Sequence, residues 1–161
     1  MGSFLNPPNQ IVSGEKINGT DLNSWYQNIL ALFTAWTPYT PALTNITLGN
    51  GTLSGQYTQV GKFIVFRLGL THGTTTSVTG AVAFGLPATA LDINWTASAL
   101  LWDGSVAANR IPGVCVPATT SVALYSGPIN GGTGAGAVTA TTPFTWASTD
   151  VMRAGGVYEA A

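Results

Sequence analysis

Few side chains in this sequence can transfer protons, attack a substrate or hold a metal. His72 is the only histidine and Cys115 the only cysteine. A catalytic triad or a zinc site needs several such groups together, so we predict that His72 is a turn or interface residue at a strand end. In a trimer, three copies of it could still ring an axis around a metal ion or an anion. Cys115 has no disulfide or metal-binding partner within the chain and is predicted to be a small buried hydrophobe. No metal site is predicted.

Two carboxylates raise the question of sugar cleavage. Asp92 and Asp103 flank a stretch that contains Trp95 and Trp102, and glycoside hydrolysis uses a pair of carboxylates beside the sugar. The alternative places both acids in turns, as Asp103-Gly104 indicates, with the tryptophans in the core. We favour the turns and predict no catalytic residue and no enzyme. Trp95 and Trp102 remain candidate contacts for a glycan.

A glycine-rich tract, residues 127–140, contains a pattern seen in dinucleotide-binding loops. Gly132-Thr133-Gly134-Ala135-Gly136-Ala137 matches Gly-x-Gly-x-x-Ala, but such a loop needs a following helix whose N-terminus meets the pyrophosphate. The next residues, Val138 to Pro143, cannot form that helix. We therefore predict no cofactor, and the tract is either a mobile loop or a glycine-rich edge strand.

The composition narrows the class of protein. Only 7% of the 161 residues are charged and 45% are hydrophobic, whereas an ordinary soluble domain is about 25% charged. The five Lys and Arg residues lie far apart in the sequence, which argues against nucleic acid, although folding could gather a few of them. No apolar run is long enough to predict membrane insertion, and no secretory signal is visible at the N-terminus. A surface so poor in charge favours self-association.

One short helix is predicted, over residues 20–36. Its apolar side chains recur every three or four residues on one stripe, and the candidate interface residues on it are Leu22, Trp25, Ile29, Leu32 and Phe33. A helix of this length is marginal in water unless its stripe is covered. The cover is either the rest of the same chain or further copies of the helix. The low charge of the chain favours the copies.

Residues 1–19 are predicted to be an extended arm. Two adjacent prolines exclude a helix, and turn-forming residues prevent a long strand. We expect this arm to attach the protein to a larger structure through Phe4, Leu5, Pro7, Pro8 and Ile11.

From residue 37 to residue 161 the hydrophobic pattern has a period of two, which predicts strands. Nine short strands are expected, at residues 40–48, 52–60, 62–71, 81–86, 97–103, 110–116, 121–125, 144–146 and 152–159. Turn signals separate them, such as Gly49-Asn50-Gly51, which fits a hairpin, and Val60-Gly61-Lys62, a tight reversal. Many short strands at this spacing predict an antiparallel jelly-roll-like β-sandwich. The complete expectation is an all-β fold preceded by an arm and one short α-helix, in three parts: 1–19, 20–36 and 37–161.

Several stretches together resemble a known kind of module. They are Trp36-Thr37-Pro38-Tyr39-Thr40-Pro41, the run from Leu48 to Lys62, Phe84-Gly85-Leu86-Pro87 and Gly155-Gly156-Val157-Tyr158-Glu159-Ala160. They are similar to the C-terminal jelly-roll modules of tailed-phage virion proteins, found in minor tail proteins, tail fibres and head fibres, especially of actinobacteriophages. The run from Lys16 to Trp25 resembles the helix that often leads into these modules. The similarity covers residues 14–161.

The resemblance implies a virion protein that is a homotrimer without catalytic activity. Its partners would be itself, other tail or capsid proteins through the arm, and host cell-wall polysaccharide, with neutral sugars suited to its aromatic and hydroxyl groups. Two roles follow. One is a compact knob that binds the host surface, and the other is a trimer that decorates and stabilises the capsid. A glycan-cleaving enzyme ranks last.

Overall fold

A computed structural model describes residues 19–34, 36–106, 109–127 and 134–161. They form two units, which are treated separately: a single helix, and a β-sheet domain that begins at Trp36. The predicted attachment arm, with Phe4, Leu5, Pro7, Pro8 and Ile11, lies outside the described residues.

The helix α1 spans Gly19–Thr34, and ten strands follow it. The predicted helix and eight of the nine predicted strands are confirmed, with ends that shift by up to four residues. The strands are β1 Thr37–Tyr39, β2 Leu43–Thr47, β3 Thr52–Val60, β4 Phe63–Thr71, β5 Ser77–Gly85, β6 Thr96–Trp102, β7 Arg110–Pro117, β8 Ser121–Ser126, β9 Gly136–Ala137 and β10 Val151–Glu159.

The strands form one antiparallel sheet that curls on itself. Nine of them follow the order β1-β3-β4-β10-β6-β7-β8-β5-β2, and β9 pairs with β8. Phe66 from β4 and Phe84 from β5 belong to the same buried cluster although four strands separate them in that order. The curl therefore brings the two halves of the sheet face to face around one core, as the predicted jelly-roll-like sandwich requires.

Strand β4 shows why the sheet has an inside and an outside. Successive side chains of a strand point to opposite faces, and in β4 Ile64, Phe66, Leu68 and Leu70 are buried. The side chains between them, such as Arg67, face outward. The same alternation in β10 leaves Arg153 and Val157 exposed.

The Gly49-Asn50-Gly51 turn is correctly predicted as a turn but not as a hairpin. Gly49 adopts a positive φ of 56°, and the amide of Gly51 donates to the carbonyl of Leu48. The strands on either side do not pair with each other: β2 pairs with β5, whereas β3 pairs with β1 and β4. The turn instead carries the chain from β2, at one end of the strand order, to β3, the second strand from the other end. Long-range pairing sets this connection. The Gly61 reversal, by contrast, joins the paired strands β3 and β4 as predicted.

The predicted strand at residues 144–146 is wrong. Phe144 and Trp146 belong to an irregular segment whose side chains pack on the core. The indole N–H of Trp146 donates to the carbonyl of Thr139, 2.8 Å away. An isolated pair of aromatic residues has the composition of a strand, but here it covers the core from a loop.

Gly156 is required by the close pairing of β10 and β6. A Cβ at this position would lie 2.5 Å from the Cβ of Ala97 and 2.9 Å from the carbonyl oxygen of Thr96. We expect Gly156→Ala to lower the free energy of unfolding by about 1–3 kcal/mol, since the strands must move apart to admit the methyl group. Denaturant titration measures the change.

Gly69→Ala on the neighbouring strand β4 is the matched control. The nearest atom to a Cβ there is the Ser54 hydroxyl oxygen at 3.5 Å, an ordinary contact. This variant should keep or raise the stability of the protein. An equal loss in both variants would contradict the steric explanation.

Candidate interaction surfaces

An apolar stripe runs along the exposed surface of α1. Leu22, Trp25, Tyr26 and Ile29 recur at the spacing of one helix face, and between 47% and 59% of each is exposed in the single chain. These include three of the predicted interface residues. The side chains of the other two, Leu32 and Phe33, lie outside the described part of the structure. Large apolar side chains grouped on one helix face are suited to packing against another apolar surface.

A groove of about 470 Å³ lies on the outer face of the sheet domain, across β3, β4 and β10. The outward side chains that line it are those of Ser54, Gln56, Arg67 and Arg153, and Gly69 lies among them. Strand register explains their meeting: in β4, Arg67 stands opposite Gln56 of β3, and Gly69 stands opposite both Ser54 of β3 and Arg153 of β10. Because Gly69 has no side chain, the sheet surface is open between the two arginines.

The Arg67 side chain is held in place by two neighbours. Its Nε and Nη2 groups both donate to the Oε1 atom of Gln56, with an Nε–Oε1 distance of 3.0 Å. Its guanidinium carbon lies 4.5 Å from the ring centroid of Trp36, a cation–π contact. Trp36 is 39% exposed, so part of the indole faces solvent at the side of the groove.

The charge of the groove is not balanced within its lining. Among the residues that the structure describes, two arginines and no carboxylate line it. Glu159, which also points outward from β10, lies 3.9 Å from the amino group of Lys62. Arg67 and Arg153 therefore form a small cationic site in a chain that has few charges.

The sequence reasoning missed this groove. Arg67 and Arg153 are 86 residues apart in the sequence and become neighbours only because β4 and β10 pair. The outward position of each arginine could be predicted from the alternation in its own strand. The pairing of β4 with β10, the last strand, could not be predicted from the sequence.

Trp95, a candidate glycan contact, is packed against the core. Its ring contacts those of Phe66 and Tyr158 at centroid distances of 6.1 and 5.3 Å. Its N–H donates to the carbonyl of Asp92. These contacts give Trp95 a role in packing the fold.

Trp102, the second candidate, lies seven residues further, at the other end of β6. Its ring is half-buried, and the Arg110 guanidinium lies over it, 5.2 Å from the ring centroid. At about 3.3 Å per residue the two tryptophans are roughly 20 Å apart along the strand. The structure does not bring them to one sugar site, and their role in glycan binding stays a prediction.

Asp92 and Asp103 both occupy turns, as predicted. The Asp92 carboxylate accepts hydrogen bonds from the backbone and side-chain amides of Asn94. The Asp103 carboxylate accepts from the backbone amide and the hydroxyl of Ser105, and the hydroxyl bond lowers the pKa of Asp103. A lowered pKa suits a turn acceptor and not a general acid at neutral pH.

His72 follows β4, as predicted, but it is buried. Its ring stacks on Trp146 at 4.9 Å with an interplanar angle of 12°, and Nε2 has no hydrogen-bond partner among the described residues. Burial lowers the pKa of His72, and the nearby Asp150 carboxylate opposes that shift. A histidine this enclosed is not placed to ring a trimer axis.

Asp150 fixes two loops beside His72. It is fully buried, and its two carboxylate oxygens accept hydrogen bonds from the backbone amides of Gly104, at 2.8 Å, and Ala147, at 2.6 Å. The backbone of Asp150 in turn accepts a bond from the amide of His72. The cluster joins the end of β4 to the segment that covers the core.

Cys115 is buried in β7, as predicted, and burial raises the pKa of its thiol to about 12. In the described ranges, no three histidine, cysteine or acidic side chains meet in a group that could hold a metal ion. Within the same ranges, no helix has the length and apolar character needed to cross a membrane.

Comparison of the chain with protein-family models, with curated proteins and with solved structures found no match.

The buried His72 predicts a loss of stability in mild acid. The folded protein holds the ring neutral below its ordinary pKa of 6.5, whereas the unfolded chain takes up a proton near that value. Unfolding therefore becomes more favourable as the pH falls below 6.5, until the lowered pKa of the folded state is passed. Denaturant titrations at pH 7.5 and 5.5 measure the loss.

His72→Phe is the control because it keeps an aromatic ring beside Trp146 and cannot titrate. The difference in unfolding free energy between the two pH values should shrink in this variant. An unchanged difference would show that another group is responsible.

Proposed function

We propose that this protein is a non-enzymatic virion component, a homotrimeric knob that is attached by its N-terminal arm and presents the β-sandwich to the host surface. The apolar stripe of α1 carries the proposal. It consists of Leu22, Trp25, Tyr26 and Ile29, all well exposed in the single chain. Copies of the same helix packed together would bury this stripe, as in a short coiled coil.

The surface of the sheet domain gives further support. Val60 and Phe63 face each other beside the Gly61 turn, and Val65 faces Val157 on the next strand. All four point outward and are 37% to 61% exposed. A sandwich with its own complete core and additional apolar side chains outside is suited to assembly with further copies.

The proposed location on a virion and the proposed trimeric state are those that the resemblance of residues 14–161 to phage virion modules implies. The structure adds an all-β antiparallel sandwich of the expected kind. The turns and strands on which the resemblance rests include the Gly61 reversal and the β10 strand with Gly155 and Gly156.

The oligomeric state is the first test. Light scattering on the purified chain at micromolar concentration should give three times the mass of one chain. Ile29→Asp should raise the concentration needed for assembly by about tenfold or more, because burying an unpaired carboxylate costs several kcal/mol.

Gln27→Asp is the matched control, since it adds the same charge to the same helix on the side opposite the stripe. It should assemble as the parent does. A parent protein that remains a single copy, with α1 folded, would remove the basis of the proposal.

Adsorption competition tests the host-surface role. Purified protein added before the phage that carries it should occupy receptors and reduce attachment. If it leaves attachment unchanged, and particles without it have heads that burst more easily, the role is capsid decoration. The second outcome would overturn the receptor-binding proposal and favour stabilisation of the shell by mass action.

A further inference from the structure

The groove across β3, β4 and β10 brings two positive charges close together on one face of the sheet. Arg67 and Arg153 are diagonal neighbours on adjacent strands, since Arg153 pairs with Gly69, two residues from Arg67. Like charges so close on one face of a sheet repel each other. No carboxylate lines the groove to offset that repulsion.

Arg67 also presents its donors in a defined direction. Gln56 and Trp36 restrain the Arg67 side chain, yet they engage its Nε and Nη2 groups and the face of its guanidinium. Arginine carries five N–H donors in a fixed planar fork, and among the described residues Nη1 of Arg67 has no partner. An ordered guanidinium with unused donors is suited to a carboxylate or a phosphate.

The surroundings of the arginines suit a sugar. Trp36 contacts Arg67 and is 39% exposed, so an aromatic side chain that can contact a sugar ring lies next to this arginine. The hydroxyl of Ser54 and the amide of Gln56 add neutral hydrogen-bonding groups along the same groove. A volume of about 470 Å³ lies within the ordinary range for small-molecule sites.

We propose that this groove binds an acidic surface polysaccharide. Arg67 and Arg153 bind its anionic group, which is a carboxylate or a phosphate. The inference rests on the proposed host-surface function for the source of the polysaccharide. It replaces the neutral sugar expected from the composition with a charged one. Two arginines are too few to follow a nucleic-acid backbone, which needs many phosphate contacts.

Calorimetric titration of the full chain at low salt tests the ligand class. The probes are tri-galacturonate for the carboxylate, a trimer of glycerol phosphate for the phosphate, and neutral maltotriose. At least one anionic probe should bind about tenfold or more tightly than maltotriose, and its affinity should fall as salt is added. The anionic probe that binds more tightly shows whether the groove prefers a carboxylate or a phosphate.

Three results would overturn the inference. They are equal binding of maltotriose and both anionic probes, no binding of either anion, and binding of a 12-nucleotide DNA as tight as that of the better saccharide probe.

Variants locate the binding on the protein. Arg67→Gln and Arg153→Gln should each weaken binding of the better anionic probe by about tenfold, since each removes charge-assisted hydrogen bonds. Arg110→Gln is the control, because Arg110 also lies over a tryptophan on the sheet domain but does not line the groove. An equal loss in Arg110→Gln would show a general charge effect and overturn the site.

Gly69→Val fills the groove without changing any charge. There is room for a Cβ at Gly69, and valine favours strands, so the variant should fold. It should weaken binding as much as the arginine variants while the unfolding free energy is maintained. Unchanged binding in this variant would place the ligand elsewhere.

Phage adsorption separates this inference from the proposed function. If the parent chain binds the anionic probe but does not compete for adsorption, the groove is confirmed and the receptor role fails. If the parent competes and the doubly substituted Arg67→Gln, Arg153→Gln chain competes equally well, the receptor role stands and the groove inference fails.

Discussion

The alternation of side chains along the paired strands β4 and β10 is the constraint on which the rest of the structure depends. Every second residue of β4, from Ile64 to Leu70, is buried in the core, and β10 contributes Met152, Ala154 and Tyr158 from the adjacent strand. Because both strands lie in the middle of the curled sheet, their register fixes the core and the outer face together. A shift of one residue would exchange the two faces.

Buried polar groups complete the domain where the sheet leaves its core open. The segment from residue 134 to residue 150 lies over the core, with Val138 and Trp146 packed against it. Asp150 ties this segment to Gly104, whose backbone amide donates a hydrogen bond to the Asp150 carboxylate, and His72 stacks on Trp146. His72 and Asp150 thus hold the covering segment in place, and the buried Asp150 carboxylate has the hydrogen-bond partners that its burial requires.

Because this chain has few charged residues, an unpaired cluster of them is unusual. In an ordinary domain, two arginines on a surface are common and often paired with acids. Here only 7% of residues are charged, so an arginine pair without a carboxylate in its lining is a distinct feature. The apolar stripe of α1 and the outward valines beside Phe63 are the corresponding apolar features. The cationic groove and the proposed self-association surface therefore depend on different residues and different forces.

Local patterns in the sequence were enough to predict the all-β class, one helix with an apolar stripe, most strands, the turns at Asp92 and Asp103, and the burial of Cys115. These follow from periodicity, turn chemistry and side-chain size, which act within a few residues. The identity of neighbouring strands was set by the three-dimensional fold. It separated β2 from β3 despite the turn at Gly49, buried His72 beside Asp150, and placed Arg67 next to Arg153. Those outcomes depend on pairing between residues far apart in the chain. Backbone groups can pair with any strand, so the partner of each strand is selected by how well its side chains pack in the shared core.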